Sequence, residues 1–250
     1  MRVPARPALV VVAHGSRDPR HAATVRALVR RVRVQRPGLR VETGFLDFNS
    51  PSVPEVLESL DAEGVRDVVA LPLLLTRAFH AKADIPAVLD QAPPRLRIRQ
   101  APVLGPSPLL LTALERRLYE AGLTPADKSS TGVVLASAGS TDPEAIAVIA
   151  EIAREWRHTG WCAVRPAFAS ASLPRTEDAV RALRAQGVRR VAVAPYVLAP
   201  GFLPDRIARG ARDSGADVLA KELGPSPEVA RLLIQRYTEA LLRERMAVSA

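Results

Sequence analysis

Cysteine is nearly absent. The chain has one, Cys162, so no intramolecular disulfide can form, and a reducing cytoplasm is the expected setting. Aromatic residues make up only 4%, too few for the stacking platform that single-stranded nucleic acid needs. No apolar run approaches the roughly 18–20 residues required to cross a bilayer, so no membrane partner is expected. The short N-terminal run in "MRVPARPALVVVAHGS" follows two arginines but leads into Gly-Ser without a small-residue cleavage site. It reads as a first strand, not a secretion signal. There is no Walker-type loop, GxGxxG, CxxC pair or catalytic triad, so nucleotide and acyl-transfer chemistry find no support.

What is present begins with charge. The 250 residues carry 35 Lys and Arg against 26 Asp and Glu, a net charge of +9, and nearly all the basic residues are arginine. Such a balance fits either a small polyanionic ligand or a solvated, arginine-rich surface. The basic residues are spread along the chain with few aromatics between them, so no nucleic-acid partner is expected. A hydrophobic content of 48% is ample for a core, and the length suits one large or two small domains.

The chain repeats itself. "VVVAHGSRDP" (10–19) aligns with "VVLASAGSTDP" (133–143). "FLDFNSPSVPEVLESLDAEGVRDVVALPLLL" (45–75) aligns without a gap with 168–198, and "LGPSP" recurs at 104–108 and 223–227. Three matches in one order indicate a tandem duplication. The expected division is a first domain at 1–121, a linker at 122–131 and a duplicated domain at 132–250, because the stretch between the copies is polar and holds Pro and Gly.

Each copy alternates strands with helices. The continuous apolar run 8–13 marks a strand buried on both faces. Asp18 and Pro19 suit the N-cap and first position of a helix whose apolar residues Ala22, Val25, Val29 and Val32 recur at helical spacing. Further strands are expected at 41–45, 65–75 and 96–101, with helices at 53–60, around 85–89 and at 108–119; Asp142-Pro143 caps the matching helix of the second copy. Alternation of this kind gives an α/β fold with a mainly parallel sheet in each half, and ligands bind beyond the carboxyl ends of its strands.

Three potential metal ligands fall at those ends. His14 follows the first strand, Asp47 the second and His80 the third. Two imidazoles and a carboxylate suit first-row divalent metals and leave coordination positions open. Each also has a plain reading alone: a loop histidine, a helix cap, an exposed side chain. The Gly15-Ser16 turn could equally hold an anion at a helix N-terminus. The second copy acts as an internal control. It carries Ala138, Ser170 and Leu203 at the matching positions, while its capping and turn residues persist. Coordinated absence is what a shared chemical role predicts. His21, His158 and Cys162 lack such a context and read as structural.

"VVAHGSRDP", "FLDF" with "PSV" after it, "LPLLLTRAFHAKADIP" and "LGPSP" together resemble the sirohydrochlorin chelatase family, the CbiX/SirB-type class II chelatases, in their long two-copy form. The likeness runs over nearly the whole chain. It implies two tandem flavodoxin-like, chelatase-type halves facing across a cleft. It implies a lyase-class enzyme that inserts a divalent metal, Fe2+ for sirohaem or Co2+ for cobalamin, into the tetrapyrrole sirohydrochlorin. No cofactor beyond that metal substrate is expected, and Ni2+ suits the same donors. By the same resemblance His14 and His80 are catalytic and bind the metal with Asp47. The family more often has Glu at that place, so Asp47 reaches one methylene less far. Ser16, Arg17, Arg77 and Lys82 lie beside these residues and are candidates for holding the substrate's carboxylates. A monomer suffices for such a site, and a dimer is compatible with it. The competing readings are a metal or tetrapyrrole carrier without turnover and a phosphate-binding domain using the Gly15-Ser16 turn.

Overall fold

The computed structural model describes residues 6–77 and 83–248. In the first half the order is β1 (Ala8–Ala13), α1 (Pro19–Gln35), β2 (Val41–Phe45), α2 (Val53–Ala62), β3 (Asp67–Pro72), α3 (Ile85–Leu89), β4 (Arg97–Gln100) and α4 (Pro108–Glu120). The second half follows with β5 (Thr131–Ser137), α5 (Pro143–Arg157), β6 (Ala163–Phe168), α6 (Thr176–Ala185), β7 (Arg190–Tyr196), α7 (Phe202–Asp213), β8 (Val218–Leu219) and α8 (Pro227–Val248). The two sheets run β2-β1-β3-β4 and β6-β5-β7-β8, and all their pairings are parallel. The apolar run of β1 is buried at every position, as a central strand covered on both faces must be. Asp18 and Asp142 cap α1 and α5, each accepting from the backbone N–H two residues on. The expected α/β architecture of two tandem parallel halves is the observed one. No helix among the described residues is long and apolar enough to cross a membrane.

The compact units do not follow the expected division. One comprises Met1–Gly105 with Pro227–Ala250, the other Pro106–Ser226. The chain leaves each unit at an "LGPSP" motif, so each half gives its last helix to the other's unit. Helix α8 packs against α1 and β3. Its Tyr237 hydroxyl donates to the Pro7 carbonyl at 2.7 Å, and Arg236 donates to the carbonyls of Val103 (3.0 Å) and Leu104 (2.8 Å). Helix α4 packs on β7. The stretch expected as a linker, 122–131, is built into the second unit instead. It forms a 3-10 turn, Pro125–Ser130, with Leu123 buried and Asp127 paired to Arg190 at 2.6 Å. Its proline and polar residues make a capped turn, not a free tether.

Glu115 fixes α4 in its unit. Its carboxylate accepts from Lys128 Nζ at 2.6 Å, Trp156 Nε1 at 3.1 Å and Thr159 Oγ1 at 3.3 Å. Burial pushes this carboxyl up, but the Lys128 ammonium and the Trp156 N–H outweigh it and hold it below the ordinary glutamate range. A lowered carboxylate contributes stability above its ordinary value and loses it as pH falls through the lowered one. Glu115→Ala is therefore expected to cost about 2–3 kcal/mol near neutrality, because the buried Trp156 N–H and the ammonium lose their acceptor. The cost should shrink below about pH 4. Urea unfolding at both pH values checks this; an equal cost at both would refute it.

Candidate metal and substrate site

The carboxyl ends of β1 and β2 are bound together by their loops. Leu46 N–H donates to the Ala13 carbonyl and Asp47 N–H to the His14 carbonyl, both at 2.9 Å. This close approach requires Gly15. It sits at φ +94°, and a Cβ there would lie 1.8 Å from the Asp47 carbonyl oxygen. The order β2-β1-β3-β4 places His14 at the point where the sheet's winding reverses, between β1 and β3, where ligands bind in doubly wound sheets.

His14 is partly buried, with Nδ1 3.3 Å from the Gly15 carbonyl. Asp47 is exposed, and its Oδ1 accepts from the Phe48 N–H at 2.8 Å. One carboxylate oxygen is thus occupied by the loop's own backbone. Ser16 Oγ accepts from the Asp18 N–H at 3.1 Å, and its own N–H donates to Asn49 Oδ1 at 2.9 Å. The second unit keeps this scaffold. Gly139 is at φ +94°, Ser140 Oγ accepts from the Asp142 N–H at 3.0 Å, and Ser172 Oγ stands in for Asn49 as acceptor of the Ser140 N–H at 3.4 Å. The geometry of Ser16 is therefore that of a turn shared by both copies. Arg17 and Arg77 are exposed. His80 and Lys82 lie outside the described residues, and among the described residues no three His, Cys, Asp or Glu side chains form a metal-binding group.

Three residues without a role in the sequence reading belong to this neighbourhood. Asn49 locks the turn, and its counterpart Ser172, also short and polar, was the available signal. The Phe48 ring lies 6.3 Å from the His14 ring, tilted by 30°, with the Arg17 guanidinium 5.2 Å from its centroid. His21, read as an ordinary helical residue, has a buried Nδ1 without a hydrogen-bond partner. Burial pushes its imidazole below the usual value, and the charge of His14 lowers it further. Its place in the first turn of α1, seven residues past His14, was the only hint.

The CbiX family model matches this chain twice, over residues 8–121 and 132–240. A sirohydrochlorin cobaltochelatase of Priestia megaterium is 29% identical over 247 residues, which cover 93% of this chain and 79% of the relative. A sirohydrochlorin ferrochelatase of Bacillus subtilis is 25% identical, covering 93% of this chain and 91% of its own. Among solved structures, SirB from Bacillus subtilis with Fe3+ superposes with a TM-score of 0.83 at 25% identity, covering 94% of this chain and 95% of that one. The duplication read from the sequence is thus the family's own unit occurring twice, and this chain belongs to the CbiX family.

Proposed function

We propose that this protein inserts a divalent metal, Fe2+ or Co2+, into sirohydrochlorin in a reducing cytoplasm, and that its first half carries the chemistry. The observation that carries this reading is the contrast between two matched loops. Both units hold the same glycine-dependent turn against the end of the neighbouring strand. Only the first places a histidine and a carboxylate there, His14 and Asp47, where the second has Ala138 and Ser170.

The macrocycle's pyrrole nitrogens must lose two protons as the metal enters. With its proton on Nδ1, facing the Gly15 carbonyl, His14 carries the lone pair on Nε2. That lone pair can bind the ion and, once the ion has passed on, accept a pyrrole proton. His80 is the second such donor in this proposal. Asp47 completes the set through the oxygen that Phe48 does not occupy. In this proposal Arg17, Arg77 and Lys82 hold the substrate's carboxylates, and the Ser16 hydroxyl keeps a proton to donate alongside its turn bond. Relatives carry the names of both a cobaltochelatase and a ferrochelatase, and the donors accept either ion.

The test is spectroscopic. Purified protein mixed with sirohydrochlorin and Co2+ or Fe2+ should shift the tetrapyrrole absorption faster than the uncatalysed reaction. The double variant His14→Ala, His80→Ala should lose that acceleration by at least about 100-fold, the usual scale for positioned acid–base groups. Stoichiometric binding without turnover by the parent protein would instead identify a carrier.

A further inference from the structure

Phe48 is an unexpected residue at its position. Its backbone lies in the left-handed region at φ 61°, where a bulky side chain is an outlier. The residue is 48% exposed. The other exposed large apolar side chains described in this unit, Val34 and Leu242, lie on helices α1 and α8; Phe48 lies at the carboxyl end of the sheet. The second unit shows that the loop does not need the ring. At the equivalent place Ala171 adopts φ 58°, and the surrounding bonds are kept: Ser170 N–H to the Ala138 carbonyl at 2.9 Å matches Asp47 N–H to the His14 carbonyl. The backbone conformation belongs to the turn, whereas the aromatic ring belongs to the first unit alone.

The neighbours of the ring say what it fits. The His14 imidazole lies 6.3 Å from it and the Arg17 guanidinium lies over it, 5.2 Å from its centroid. A flat apolar surface close to both a proposed metal ligand and a cation matches a flat conjugated ring whose centre takes a metal and whose rim carries carboxylates. A separate phosphate or a bare metal ion would make no use of the aromatic face. We propose that Phe48 is a substrate-positioning residue: its ring lies against the face of the tetrapyrrole, sets the macrocycle centre beside His14, and presents Arg17 to a rim carboxylate. The proposal rests on the reading that sirohydrochlorin is the substrate.

Three measurements on the intact protein test it: sirohydrochlorin affinity by fluorescence quenching without metal, Co2+ affinity by calorimetry without tetrapyrrole, and thermal stability. Phe48→Ala installs the residue that the second unit already uses. It should weaken sirohydrochlorin binding about tenfold, leave Co2+ affinity within twofold and leave Tm unchanged. Phe48→Tyr, which keeps the ring, should restore the parental affinity. Unchanged sirohydrochlorin affinity in Phe48→Ala would overturn the proposal, and so would a lowered Tm accompanying the lost affinity, since the ring would then be structural. Turnover is read separately: a parent protein that binds sirohydrochlorin through Phe48 but inserts no metal would sink the chelatase reading and leave this one standing. A parent protein that does not bind sirohydrochlorin would sink both.

Discussion

Gly15→Ala should destabilise the protein by about 3 kcal/mol or more and weaken metal binding at least tenfold. A left-handed backbone costs an L-residue roughly 1–2 kcal/mol. The new Cβ would also stand 1.8 Å from the Asp47 carbonyl oxygen, which cannot yield without moving the loop. Moving it breaks the bond from Asp47 N–H to the His14 carbonyl, worth about 1 kcal/mol. Gly139→Ala is the matched control. There φ is also +94°, and the carbonyl oxygen of Ser170 lies 1.9 Å from the added Cβ, so the stability loss should be similar. Co2+ affinity should survive in Gly139→Ala and fall at least tenfold in Gly15→Ala. Urea unfolding and calorimetry measure both quantities. A stability loss below about 1 kcal/mol in Gly15→Ala would show that the turn is softer than its geometry indicates.

Ending the chain after Ser226 should unfold the first unit, not the second. The deletion removes α8, whose Val229, Leu232 and Leu233 are fully buried in the unit that contains β1 and β3. At roughly 1.5–3 kcal/mol for each such side chain, these three alone contribute about 5–9 kcal/mol, comparable to the whole stability of a domain. The bonds from Tyr237 to Pro7 and from Arg236 to Val103 and Leu104 go with them. The second unit keeps α4 and its Glu115 anchor. Hydrogen exchange is the direct readout. Protection should vanish from β1 and β3 and persist in β5 and β7; the opposite pattern would contradict the helix exchange.

That result would run against the sequence, which assigns residues 227–248 to the second copy. The reason is physical. Apolar spacing shows that a helix covers a sheet but does not say which sheet, and two duplicated sheets offer nearly the same face. The stretch 122–131 has the composition of a linker, yet Leu123 and the Asp127–Arg190 pair commit it to a unit. Local signals were legible: the all-apolar β1, the Asp-Pro caps of α1 and α5, the parallel alternation. Within the site, comparing the copies separated His14 and Asp47 from their shared scaffold. The same comparison relocates Ser16, whose turn bond recurs at Ser140. The sequence assigns no site role to Phe48 or His21 because their signals are conformational: a positive φ and a ring nitrogen buried without a partner.

The helix exchange also fixes an order of assembly during synthesis. Chains emerge N-terminus first, and domains ordinarily fold in that order. Here the first unit needs α8, which includes Pro227–Val248, whereas the second is complete once Ser226 has emerged. The half that is translated second can therefore close first, and the half bearing His14 and Asp47 waits for the last helix. A chain that stops short of α8 would hold these two residues on an unfinished sheet, so the loop proposed to bind the metal takes shape only once α8 has joined its unit.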